Sequence, residues 1–173
     1  MEVLLAKRRL SIDKSTLEDL QRSLLNINRL NQHWLTQRRW KALHSEDNNF
    51  VDDDAVNLVE YCRALKLSEL FAAETRAVFS STRVVDARVF PCSTAGLSQA
   101  LYGLPYPLNL THEDAGWIAD AAVGINLIFG LEKPMQFLIL RDGGGVVTIA
   151  GPKSFVAHMT RKNPFLWKPG LPP

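Results

Sequence analysis

The sequence predicts an α+β fold: a small antiparallel or mixed sheet of about four strands with helices packed on one face, led by a long amphipathic N-terminal helix. Three observations carry this expectation. Leu17, Leu20, Leu24, Ile27 and Trp34 recur at heptad spacing, which lays one apolar stripe along a helix. Segments within residues 77–90 and 135–150 are β-branched or apolar over strand lengths. The strands fall in pairs between helices, without the regular strand-helix-strand alternation of a doubly wound parallel sheet.

Taken in chain order, Ser15-Thr16-Leu17-Glu18 reads as a capping box that starts the first helix. The seam then runs to about His44, with Asn31 at the one polar seam position, where it would fix register if the stripe were a dimer interface. Asp52 to Asp54 place carboxylates at the start of a second helix reaching about Leu65, and Ser68 caps a short third one carrying Leu70 and Phe71. Ala77 to Ser80 and the alternating Val84 to Phe90 read as strands, the second closed by Pro91. Ser93 or Thr94 caps a short helix closed by Gly103, and the prolines of Leu104 to Leu108 demand an extended connection.

Thr111 to Asp114 open a helix that is apolar almost all round and stops at Gly130, the expected central helix of the fold. Met135 to Leu140 and Val146 to Ala150, joined through Asp142-Gly143-Gly144-Gly145, are the clearest hairpin. Gly151-Pro152 introduces a last helix from Lys153 to Met159. Residues 1–160 therefore read as one domain, and 161–173, with four prolines beside Phe165, Leu166 and Trp167, as an extended tail.

Composition excludes several classes. A hydrophobic fraction of 46% and a charged fraction of 22% in 173 residues suit one globular core and argue against disorder or fibrous repeats. Two cysteines, Cys62 and Cys92, are too few for a disulfide scaffold, so a reducing, cytoplasmic setting is expected. The apolar run Ala115 to Leu131 contains Asp120 and Asn126 and falls short of the length a bilayer requires, so no membrane association is expected. Net charge is +2, yet unevenly spread: residues 1–44 hold nine Lys/Arg against four Asp/Glu, and residues 45–75 two against eight. Such blocks either attract one another or face a charged partner.

Candidate chemistry is sparse. Cys92 follows a strand end and precedes a helix start, where free N–H groups lower a thiol pKa, and His112 or His158 would be its base. Ser98 stands where a phosphate-transferring cysteine motif needs arginine, and a small buried thiol beside a turn explains Cys92 as well. His112-Glu113-Asp114 lacks the i, i+3 or i+4 spacing that converges ligands on an ion, so it reads as helix capping and no metal or cofactor is expected. Arg29, Arg38, Arg39 and Lys41, interleaved with Trp34 and Trp40, are the candidates for a nucleic-acid surface, since guanidinium groups neutralise phosphate and indoles stack on bases. The acidic block beside them disfavours nucleic acid.

By elimination the sequence points to a non-catalytic cytosolic interaction domain: an adaptor, secretion chaperone, immunity-type inhibitor or assembly factor. The expected partner is another protein or a second copy in a homodimer. The expected contact residues are Leu17, Leu20, Leu24, Ile27, Asn31 and Trp34 of the seam, with Phe165 and Trp167 of the tail. The competing readings are a cysteine-dependent hydrolase or transferase built on Cys92, and a nucleic-acid binder built on the basic N-terminal helix.

Overall fold

Asp13, rather than Ser15, starts the first helix. In the computed structural model, which describes residues 12–29, 31–45, 70–71, 76–82, 93–107, 125–130, 133–141, 146–161 and 167–169, helix α1 spans Lys14–Asn28. The Asp13 carboxylate accepts from the Thr16 amide at 3.0 Å, and the Ser15 hydroxyl donates to the same oxygen at 2.7 Å. A carboxylate one residue outside the helix satisfies an orphan amide and meets the positive end of the dipole, which outcompetes the neutral hydroxyl two residues on.

The helix is amphipathic as expected but does not continue to His44. It ends at Asn28 with Arg29 as C-cap, and Asn31 caps a separate short helix α2, Gln32–Gln37, by accepting from the Trp34 amide at 3.1 Å. Asn31 is exposed, so it ends one helix and opens the next instead of fixing register inside a seam. Arg39 then takes a positive φ of 58°, and Trp40–Ser45 leaves as strand β1.

The other elements are β2 (Arg76–Thr82), α3 (Thr94–Ala100), β3 (Leu101–Pro107), β4 (Ile125–Gly130), β5 (Leu138–Arg141), β6 (Val147–Pro152), α4 (Lys153–Arg161) and β7 (Trp167–Pro169). The strands form one sheet in the order β3-β2-β4-β5-β6-β1-β7, antiparallel at every junction. An antiparallel α+β fold is thus present, with seven strands where about four are expected. The additional strands come from segments read otherwise: β1 from the helix end, β3 from the extended connection with Gly103 inside it, β4 from the supposed central helix, and β7 from the tail. Pro152 closes β6 rather than opening α4. The expected helices of residues 52–71, the strand at 84–90 and the helix start at 111–124 lie outside the described residues, apart from Leu70 and Phe71.

Register assigns the two faces. Ala42, Ala150, Leu138 and Phe129 lie in one row, and Leu140 and Leu127 in the next, all on one face. With Leu17, Leu20, Leu24 and Ile27 of α1, Leu35, Leu97 of α3, Leu101 and Met135, they make a continuous buried core. The alternate residues Ile139, Val147 and Ile149 are fully buried on the opposite face. There Phe155, Val156 and Met159 of α4 are buried, and the Phe137 ring lies 5.4 Å from that of Phe155 and 4.9 Å from that of Phe71. Helices therefore cover both faces, not one as expected, because the central strands are apolar on both sides.

Gly151 lets α4 approach this second face: a Cβ there would sit 2.7 Å from Cδ1 of Phe155. That ring is held by Phe137, so it has little room to yield. Gly151→Ala is expected to destabilise the fold by about 1–3 kcal/mol through overpacking, read as a lower denaturant midpoint with an unchanged slope.

Candidate interaction surface

Where α1, α2 and the segment before β5 meet, the polar side chains are largely committed to one another. Arg38 closes a two-pronged pair with Asp19, Nη1 and Nη2 each donating to a separate carboxylate oxygen at 2.8 Å, and Nη2 also donates to the Met135 carbonyl at 2.9 Å. The Met135 amide returns a hydrogen bond to Asp19 at 3.0 Å. The guanidinium carbon lies 5.2 Å from the Trp34 ring centroid and 4.4 Å from that of Trp40, and the two indoles meet edge to face at 5.7 Å.

Asp19 and Arg38 expose only 19% and 16% of their side chains, so this is a mostly desolvated pair; both Nη groups of Arg38 are engaged, whereas its Nε is buried without a hydrogen-bond partner among the described residues. Burial raises the Asp19 pKa, but the Arg38 hydrogen bonds, the Met135 amide and the Arg38 charge pull it below the usual carboxylate value. Asp13, on the surface, is also held low, chiefly by the Thr16 amide, then by Ser15 and by Lys133 at 3.0 Å.

Beside the clamp lies an open depression of about 370 Å³, bordered by Ser15, Glu18, Asp19, Arg22, Arg38 and Lys133. Its charges alternate in sign, and Asp19, Arg38 and Lys133 are already paired within the chain. This wall braces α1 against the Lys133–Pro134 segment.

The expected contact residues divide into three groups. Leu17, Leu20, Leu24 and Ile27 are buried in the chain's own core, and Trp34 is half-buried against it, so the seam is occupied within the fold. Trp167 belongs to β7 and sits opposite Ser45 in register, which places part of the tail on the sheet. Phe165, Cys92 and His112 lie outside the described residues. His158 is 7% exposed, on the α4 side that carries Phe155 and Met159, and it is engaged in a further interaction.

The basic residues separate likewise. Arg38 is consumed by the clamp, and Trp40 is 7% exposed beneath it, so neither is free to meet phosphate or base. Arg29, Arg39 and Lys41 are exposed, and among the described residues they form no ion pair. Arg29 precedes α2 while Arg39 and Lys41 follow it, and the exposed residues between them, Gln32, His33, Thr36 and Gln37, include no carboxylate.

The positive φ of Arg39 is the feature that sequence patterning misses. Helix α2 ends with the Arg39 amide donating to the Thr36 carbonyl at 3.0 Å, the geometry in which a left-handed residue follows a helix. Glycine takes that conformation freely, whereas for a residue with a Cβ it costs roughly 1 kcal/mol. No motif signals it, since the requirement arises from the turn between α2 and β1.

A second polar group gathers at one end of the sheet. His44 Nδ1 lies 2.6 Å from the Thr148 hydroxyl, the Val147 amide donates to the Ser45 hydroxyl at 3.0 Å, and Arg141 is 4% exposed. His44 and Arg141 each make a further interaction, so this end is also internally engaged. Among the described residues, no group of three or more His, Cys, Asp or Glu side chains is placed to hold a metal ion. No described helix is long and apolar enough to cross a membrane.

Comparison with protein families, curated proteins and solved structures finds no match for the chain.

Proposed function

We propose that the protein is a non-catalytic interaction domain working in the cytosol, of the adaptor, chaperone or inhibitor kind, and that it docks an acidic segment of a partner protein on the surface flanking α2. The supporting observation is Arg39: an exposed guanidinium kept at a left-handed position where glycine would be less strained, between Arg29 and Lys41, which likewise form no ion pair among the described residues. Local strain retained at an exposed charged residue is the kind of outlier that accompanies binding. A surface of one sign steers and orients a partner of the other.

Nucleic acid fits this surface less well. The two tryptophans that would stack on bases are packed around Arg38, which leaves charge without the aromatic platform of single-strand binders.

The test is a capture experiment from the native host with nuclease-treated extract. The wild-type chain is expected to retain an acidic partner that is released as salt rises, and the triple variant Arg29→Glu, Arg39→Glu and Lys41→Glu is expected to retain none. Arg39→Gly is expected to keep or raise stability, by up to about 1 kcal/mol, while weakening capture. Equal capture by wild type and the triple variant would refute the reading, as would binding abolished by nuclease.

A further inference from the structure

The two ends of the sheet differ in what they offer. Strand β3 has seven residues and carries Pro105 and Pro107, which remove amide donors and bar a further strand from the full length of that edge. At the other end β1 has no proline and is covered by β7 through three register pairs, Leu43↔Pro169, His44↔Lys168 and Ser45↔Trp167. The edge of β1 therefore accepts a strand, and its occupant is the shortest described strand of the sheet.

That occupant is joined to the domain by five residues between Arg161 and Trp167, a connection that reaches at most about 20 Å. Short connections to an outermost strand are where exchange between identical chains arises at low cost, because the pairing that one copy gives up is restored by the other. Pro169 supplies no amide donor, and prolines are tolerated where the N–H would point away from the neighbouring strand. Direction alternates along a strand, so the central donor toward β1 falls to Lys168. Pro169 also removes a donor from the outer side of β7, which disfavours adding a further strand there.

We propose that the outer edge of β1 is a strand-accepting site and that the Trp167–Pro169 segment of a second copy seats on it, giving a dimer by reciprocal tail exchange. This does not rest on the cationic surface, and the Arg29, Arg39 and Lys41 charge reversal is expected to leave it intact.

The experiment uses the full chain. Lys168→Pro removes the central donor and frees β1, whereas Lys168→Ala keeps it. A fluorescent peptide spanning residues 162–173 is expected to bind the proline variant at least about tenfold more tightly than the wild type, whose own tail competes at high effective concentration. By sedimentation the wild type and Lys168→Ala are expected to show a dimer that grows with concentration, and Lys168→Pro to remain monomeric. Circular dichroism confirms that the proline variant is folded, and if it is not, the concentration series on the wild type still decides, since reciprocal exchange requires a dimer that grows with concentration. A dimer that persists in folded Lys168→Pro, a wild type monomeric at every concentration, or a peptide that binds no better to the freed edge would each overturn the proposal.

Discussion

Asp19→Ala is expected to destabilise the protein by about 3 kcal/mol, because it leaves the mostly buried Arg38 guanidinium without its counter-ion and the Met135 amide without its acceptor. Arg38→Ala should cost a similar amount, since it strands the carboxylate and removes the cation packed on Trp34 and Trp40. The double variant should be less damaging than the two single changes added together, and that shortfall is the coupling a double-mutant cycle reads.

The same pair sets an acid limit. The Asp19 pKa is lower in the folded chain than its ordinary 3.8, so the unfolded chain binds the proton first as pH falls. The pair's contribution is complete above about pH 5 and is lost progressively as pH drops through the folded-state value. Acid unfolding monitored by tryptophan fluorescence should therefore be shallower in Asp19→Ala than in the wild type. Identical acid limbs would show that the pair contributes nothing across that range.

Leu20→Ala is expected to cost about 2–5 kcal/mol, the range for emptying a fully buried leucine site. Leu20, on the buried side of α1, belongs to the same core as Leu127, Leu138 and Leu140. The loss should be the same at every protein concentration, because the stripe is filled from within the chain. Were the stripe instead an interface between copies, Leu20→Ala would abolish any rise of the unfolding temperature with concentration, whereas a rise that comes from tail exchange persists in the variant.

These two sites mark what patterning reveals and what it hides. The stripe of α1 is legible because helical spacing is a local property, and the same holds for the Ser93 cap of α3, whose hydroxyl accepts from Gly96 at 3.0 Å. The β5–β6 pairing is legible for the same reason: Arg141 pairs with Val147 on either side of the glycine-rich segment 142–145. Strand β4 is not. Ile125 to Gly130 form an interior strand of the sheet, between β2 and β5, and an unbroken apolar run of this kind reads equally well as a helix buried all round.

Residue type arbitrates weakly there, through Ile125, Ile128 and Phe129, which favour strand. Arg38 is harder still. In sequence it sits among cations and indoles and resembles a phosphate contact, and only the turn from α1 into α2 reveals that it faces Asp19, nineteen positions earlier. The candidate surface is legible in composition, as a basic N-terminal block, but which of its cations are engaged internally depends on packing that no local pattern encodes.

The placement of β1 bears on how the chain is completed during synthesis. Both neighbours of this early strand come from the last quarter of the chain, with Trp40 aligned to Pro152 and Ser45 to Trp167. Until those residues leave the ribosome, β1 has no ladder to join, and loop closure over more than a hundred residues must precede its first pairing. Strand β1 therefore waits while the residues between it and β6 are synthesised. Its ladder closes only once residues 147–169 have emerged, and the interval before that is where holding chaperones have the most to protect.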